Sequence, residues 1–251
     1  MLRHPTLDTR QRLRLIGRYN ARHEQLPMPE RAPLSCEERL GLLLDRAASE
    51  RATRRRRTRL TPARLRANAA IEDLDDRRHR GLDRALMRRL AGCQWLGEHL
   101  NVLMTGPTGV GKTWIACALA NKACREGFSA RYLRLPRLLQ DLGIARADGR
   151  YPKVLAALAK TDRLVLDDGG LAPTTDEQRR DLLEILDDRG ERHATLVTSP
   201  LPVAHGHQAL GEPTLADAIR DRLVQRAYPL ELRGESLRKR PGALTGEPVP
   251  A

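Results

Sequence analysis

Gly106-Pro107-Thr108-Gly109-Val110-Gly111-Lys112-Thr113 is the stretch whose residue types and spacing point most directly to chemistry. Glycines so spaced let backbone N–H groups converge on phosphate oxygens, and a helix opening behind them adds partial positive charge. A lysine followed by a hydroxyl residue completes the loop: Lys112 would reach the β- and γ-phosphates, and Thr113 would ligate Mg2+. The loop follows a predicted strand, Asn101–Thr105, and opens a predicted helix over 112–126, the context that such a phosphate loop requires.

A second apolar run, Leu164-Val165-Leu166, ends in Asp167-Asp168 some sixty residues after the loop begins. A carboxylate there can hold the Mg2+ shell beside the loop, a role for Asp167, and the next, Asp168, can polarise an attacking water. The separation leaves room for another strand between the two. ATP is expected over GTP, because no Asn/Thr-Lys-x-Asp guanine-reading motif occurs. A third strand leads to Thr198-Ser199-Pro200, where a polar side chain would sense the γ-phosphate. Ser199 could donate a hydrogen bond; Pro200 has neither a side-chain donor nor a backbone N–H. Arg220, Arg222 and Arg226 on a later predicted helix, and Arg238 beyond the last strand, are candidates for an arginine finger reaching a neighbouring subunit's ATP.

The elements that must position these residues alternate. Strands are expected at Asn101–Thr105, Ala130–Leu135, Arg163–Leu166, Ala194–Thr198 and Pro229–Leu232, with helices over 112–126, 137–160 with breaks, and 176–189. Thr175 and Gln178 have capping-box spacing at the start of the last. Five strands with intervening helices imply an α/β fold, a mostly parallel sheet covered on both faces.

The first third differs in charge and pattern. Residues 1–90 hold 23 Arg and no Lys against 12 acidic residues, so most of the chain's net charge of +13 lies there. Leu7, Leu13 and Ile16 fall near helical spacing; Ser35 and Glu38 could cap a second helix, with an apolar stripe of Leu40, Leu43, Leu44, Ala47 and Ala48. That stripe runs into Arg54-Arg55-Arg56-Arg57-Thr58-Arg59. Thr61-Pro62 resembles the cap and first residue of another short helix, residues 72–81 a linker, and Leu82–Leu96 a return to helical spacing. The expected organisation is a basic helical domain over 1–75, a P-loop ATPase domain over 76–240, and a disordered tail over 241–251. Arginines of the 54–59 run (Arg54, Arg55, Arg56, Arg57 and Arg59) can neutralise duplex phosphates without reading bases. Aromatic residues, at 3%, are too few for base reading by stacking.

Cys36, Cys93, Cys117 and Cys124 form no CxxC pair and have no histidine at zinc spacing; free thiols in a reducing compartment are expected. Cys117 and Cys124 would share one helix face. The N-terminus lacks the apolar core of a signal peptide, and no run approaches a membrane span, so a cytoplasmic protein without membrane partners is expected.

In order along the chain, His4-Pro5-Thr6-Leu7, Ser35-Cys36-Glu37-Glu38-Arg39-Leu40, the P-loop, Tyr132-Leu133-Arg134, Asp181-Leu182-Leu183-Glu184-Ile185, Thr214–Leu223 and Gly234-Glu235-Ser236-Leu237-Arg238 are blocks of a recognisable kind. The chain resembles the IstB-type helper ATPases of bacterial insertion sequences, AAA+ proteins related to DnaA and DnaC. The resemblance implies an ATPase using ATP and Mg2+ that forms a homo-oligomer on double-stranded DNA and stimulates the transposase of its own element. By motif position it assigns phosphate and Mg2+ to Lys112 and Thr113, metal to Asp167, the attacking water to Asp168, the arginine finger to Arg222 and a second sensor to Arg238. Gly169 stands where the family usually has Trp, and Pro200 where it has Gln, which implies weak turnover with ATP binding retained. The alternatives are a DnaC-like helicase loader and an ATP-binding scaffold that does not hydrolyse.

Overall fold

The computed structural model describes residues 35–74, 81–169, 174–201 and 213–237. Leu7, Leu13, Ile16, Arg238 and the tail over 241–251 lie outside them, as does most of the 72–81 linker. Five strands, β1 (Asn101–Thr105), β2 (Ala130–Arg134), β3 (Arg163–Asp167), β4 (Ala194–Ser199) and β5 (Ala227–Glu231), form one sheet in the order β2-β3-β4-β1-β5. All four pairings are parallel. The strand expected between the phosphate-loop strand and the acid strand is β4. Pro229 is tolerated because β5 is an edge strand, free of a ladder on its outer side.

The helices of the described residues are α1 (Cys36–Ala63), α2 (Arg84–Ala91), α3 (Gln94–Gly97), α4 (Lys112–Arg125), α5 (Leu135–Ala147), α6 (Tyr151–Ala159), α7 (Asp176–Arg189) and α8 (Pro213–Val224), with a 3-10 turn at Ile71–Asp73. Strand alternation divides the core in two. Val102, Met104, Val165, Leu196 and Leu230 face α4, whose Ile115, Leu119, Cys117 and Cys124 are wholly buried, together with Met87, Leu90 and Trp95 of α2 and α3. Leu164, Leu166 and Val197 face the opposite layer, built from Leu138 and Leu142 of α5, Leu158 of α6, Ile185 of α7 and Ile219 of α8. Both faces are therefore covered, and β3 is buried at all five positions. α7 starts with the capping box expected at Thr175 and Gln178. The thiols of Cys93, Cys117 and Cys124 are free and buried.

By contact the chain divides into two compact units between Thr58 and Arg59. In the first, Ser35 and Glu38 cap each other's backbone as expected: Ser35 N–H donates to Glu38 Oε2 at 2.7 Å, and Glu38 N–H to Ser35 Oγ at 3.2 Å. Leu40 and Leu44 are exposed while Ala47 is buried. Arg54, Arg55, Arg56 and Arg57 are exposed on α1; consecutive helical residues turn about 100° each, so the run encircles the axis instead of forming one stripe.

In the second unit, two expectations are corrected. Thr61-Pro62 does not open a new helix; it lies in the last turn of α1. The bond that Pro62 cannot donate falls where the helix is ending, and Arg64, with φ of 50°, turns the chain away. The Leu82–Leu96 helix is split, because Cys93 adopts a left-handed φ of 58° between α2 and α3. Residues 59–74 pack on the sheet domain: Ala63 and Ala69 are buried, with Leu60, Leu65, Ala67, Ile71 and Leu74 against the same core.

Candidate nucleotide and metal site

The phosphate loop 106–111 joins the end of β1 to the first residue of α4, at the C-terminal edge of the sheet. Its shape is set from below by the segment after β5. Leu232 N–H donates to Thr105 O at 2.8 Å, and a Cβ on Gly106 (φ 138°) would stand 2.1 Å from Leu232 O. Leu237 N–H donates to Gly109 O at 2.9 Å, and a Cβ on Gly109 (φ 90°) would stand 2.1 Å from Ser236 Oγ. Both backbone angles and both approaches demand glycine. Pro107 and Thr108 at the tip are exposed, whereas Val110 is buried and anchors the loop. The Lys112 ammonium donates to the carbonyls of Gly106 and Pro107, the latter at 2.8 Å, so it lies over the loop it would serve.

β3 delivers Asp167, wholly buried, beside α4. Thr113 Oγ1 lies 3.1 and 3.0 Å from its two carboxylate oxygens, bringing together the two residues expected to hold a metal. Tyr132 Oη donates to Asp167 Oδ2 at 2.5 Å, and Thr198 Oγ1 donates to Oδ1. Burial first, then the Asp167 carboxylate, pushes the Tyr132 hydroxyl well above its ordinary pKa, so it remains a donor. Asp168 has φ of 63°, a left-handed turn that Asp tolerates better than most residues. β4 holds this turn: Thr198 Oγ1 accepts from Asp168 N–H at 3.2 Å, and Thr198 O accepts from Gly169 N–H at 2.8 Å.

Two arginines complete the edge. Arg134 Nε donates to Asp168 Oδ2 at 2.8 Å. Arg66 NH1 lies 3.9 Å from Asp167 Oδ2 and 4.0 Å from Asp168 Oδ2. The Tyr132 hydroxyl first, then the two carboxylates, hold the Arg66 guanidinium above its ordinary value. Both arginines address Oδ2 of Asp168.

Arg66, Tyr132, Arg134 and Thr198 carry roles here that the sequence reading did not assign. For Thr198 a signal existed: strand parity separates its side chain from that of Ser199. Ser199 pairs in register with Thr105, beside the phosphate loop, and its Oγ accepts from Leu201 N–H at 3.1 Å, spanning Pro200. Arg66 had no local signal, being about a hundred residues from its carboxylates.

Arg222 is not at this edge. Its Nε donates to Asp187, its backbone carbonyl accepts from Asn101 Nδ2 at 3.2 Å, and Asn101 opens β1. It lines a cavity of about 480 Å³ with His99, Asp187, Arg189, His193 and Arg226, at the N-terminal edge.

Hard oxygen ligands suit Mg2+, which typically takes one or two carboxylates and completes its shell with phosphates and water. Thr113 and Asp167 fit that pattern. No cluster of three or more His, Cys, Asp or Glu able to hold a metal by itself occurs among the described residues. Nor, among them, is any helix long and apolar enough to cross a membrane.

The fold is that of DnaA- and DnaC-type AAA+ proteins. A DnaC helicase loader superposes with a TM-score of 0.56 at 21% identity, covering 66% of this chain and 97% of that one. AMPPCP-bound DnaA from Aquifex aeolicus gives 0.56 at 18% identity, covering 67% of this chain and 51% of that one. By sequence, the insertion sequence ATP-binding protein y4pL of Sinorhizobium fredii is 49% identical over 239 residues, 95% of this chain and 98% of its own length. The IS1162 ATP-binding protein of Pseudomonas fluorescens is 49% identical over 207 residues, 82% of this chain and 90% of its own. The family model described as IstB-like ATP binding protein matches residues 8–244, and with a phosphate loop, an acid-tipped neighbouring strand and this strand order, the chain belongs to the IstB-like ATP-binding family.

Proposed function

We propose that the chain is an ATPase that assists transposition: with ATP it assembles as a homo-oligomer on double-stranded DNA and stimulates the transposase of the same insertion sequence. The observation that carries the ATPase reading is Thr113 against Asp167, beside a phosphate loop whose lysine is already folded over it. The insertion-sequence names of the relatives support the transposition role.

In this reading the loop N–H groups and Lys112 bind the phosphates, and Thr113 and Asp167 hold Mg2+, which when bound supplies positive charge to the phosphate oxygens. Asp168 Oδ1 orients the attacking water and accepts its proton. Thr198 keeps both acids in place, the Asp167 carboxylate through its hydroxyl proton and the Asp168 backbone N–H through an oxygen lone pair. Arg222 serves the nucleotide of a neighbouring copy, and Arg238 is a second nucleotide contact. We take the arginine-rich run within residues 1–75 as the DNA-engaging part, and residues 76–240, with 59–74 packed on their core, as the motor; a cytoplasmic location follows from the DNA and transposase partners.

Duplex binding at several salt concentrations tests the DNA assignment. Replacing Arg54, Arg55, Arg56, Arg57 and Arg59 by Ala should weaken binding uniformly across sequences. If all five contact phosphates, the slope of log K against log[salt] flattens by about 4–5, at ~0.9 per contact. An unchanged slope places the DNA site elsewhere. Copurification of a replicative helicase in place of a transposase would favour the loader reading.

A further inference from the structure

Arg66 belongs to none of the motifs that define the nucleotide site, yet its guanidinium stands within 4.0 Å of both carboxylates there. It is not a loose surface side chain that drifted into range. The flanking Leu65 and Ala67 pack on the core, Ala69 is wholly buried, and Asn121 Nδ2 of α4 donates to Ala69 O at 2.8 Å in a buried bond. The backbone is thus fixed to the helix that carries Thr113, and the side chain remains 47% exposed.

We propose that Arg66 sets the metal requirement of the site: its guanidinium and a divalent cation compete for the Asp167–Asp168 pair. This rests on the reading of Thr113 and Asp167 as metal ligands. Asp167 Oδ2 receives the Tyr132 hydroxyl and faces Arg66, while Oδ1 receives Thr198. Its negative charge is therefore shared before any metal arrives. A second cation on the same oxygens meets the repulsion of the first at close range. Because the Arg66 guanidinium is half-exposed, solvent screens this repulsion to about a few-fold in affinity, far less than between two buried charges. Neutralising Arg66 should consequently tighten Mg2+ and leave the phosphate loop, on the other side of Thr113, as it is.

The test titrates Mg2+ into the full-length chain with a fluorescent ATP analogue, alongside nucleotide affinity in EDTA. Arg66→Gln and Arg66→Ala should each lower the half-saturating Mg2+ about three- to tenfold, with less than a twofold change in EDTA. Because Arg66 is half-exposed, both variants should melt with the wild type, and Arg66→Lys should fall between. An unchanged or raised Mg2+ requirement overturns the proposal. A fall in EDTA affinity overturns it too, making Arg66 a phosphate ligand. Asp167→Asn separates this from the underlying reading: if it leaves the Mg2+ requirement unaltered, the metal site itself is misassigned.

Discussion

The two edges of the sheet use arginine in opposite ways. At the C-terminal edge, Arg66 and Arg134 converge on carboxylates that are buried or half-buried, within a network of hydroxyls from α4, β2 and β4. At the N-terminal edge, Arg189 is buried and fully used as structure: it donates to Leu158 O, Thr161 O, Ala194 O and Thr195 Oγ1. Arg222, nearby, is exposed and paired across the surface with Asp187. An exposed ion pair of that kind contributes at most about 1 kcal/mol, so it is easily surrendered to a stronger anion. A five-residue strand spans roughly 15 Å, too far for Arg222 to reach its own phosphate loop. In the proposed reading, one edge holds the nucleotide and the other offers Arg222 to a neighbouring copy.

The largest expected effect removes the fixed charge of the first edge. Lys112→Ala should weaken ATP by about a hundredfold or more and abolish ATP-dependent assembly, since the β/γ-phosphates lose their counter-ion. Unchanged affinity in a nucleotide titration would contradict the site assignment. Asp168→Asn should instead spare ATP affinity and reduce turnover by ~10²–10³, leaving a DNA-bound complex that ATP does not dismantle. If affinity falls along with turnover, the carboxylate serves binding and not the water.

Arg222→Ala sharpens the comparison between edges. It should leave single-chain ATP affinity unchanged and lower DNA-stimulated hydrolysis by at least about tenfold. Mixing Arg222→Ala chains with Lys112→Ala chains should restore part of the activity, because each supplies the edge that the other lacks. No recovery in the mixture would mean that the two edges never meet between copies.

The smallest effect concerns Pro200. Its neighbour Ser199 spends an oxygen lone pair on Leu201 N–H but keeps its proton, and Thr198 already clamps the acids. Pro200→Gln should raise kcat roughly tenfold with little change in nucleotide Kd, within the ~10²–10³ that one transition-state donor can supply. Brisk wild-type hydrolysis on DNA, unaltered by the substitution, would leave γ-phosphate sensing to Ser199 or Thr198. Restoring the family's tryptophan at Gly169 would be harder: a Cβ there already lies 3.2 Å from Thr198 O and 3.3 Å from Val197 Cγ1.

What the sequence determined by itself was local. The glycine spacing of 106–111, the apolar run ending in Asp167-Asp168, and the capping pairs Ser35–Glu38 and Thr175–Gln178 each act over a few residues, so a linear reading recovers them. The alternation of strand and helix carries the fold class, and the distance from loop to acids anticipated β4 between β1 and β3. Pro62 misled because a Thr-Pro pair reads locally as the cap and first residue of a helix, whereas here it lies in the last turn of one already formed. Only the tertiary structure decided which groups share Asp167. Thr113, Tyr132, Thr198 and Arg66 come from four separate segments, and nothing in any one of them states that it will meet a buried carboxylate. The same holds for Arg163, whose place opening a buried strand reads as an error until packing supplies Trp95, with the guanidinium carbon 4.5 Å from its ring centroid. Burial lowers its pKa to about 9, and among the described residues no hydrogen-bond acceptor meets its side chain. Charge placement of this kind is set by where the core closes, and the core closes only when segments far apart in the chain are packed together.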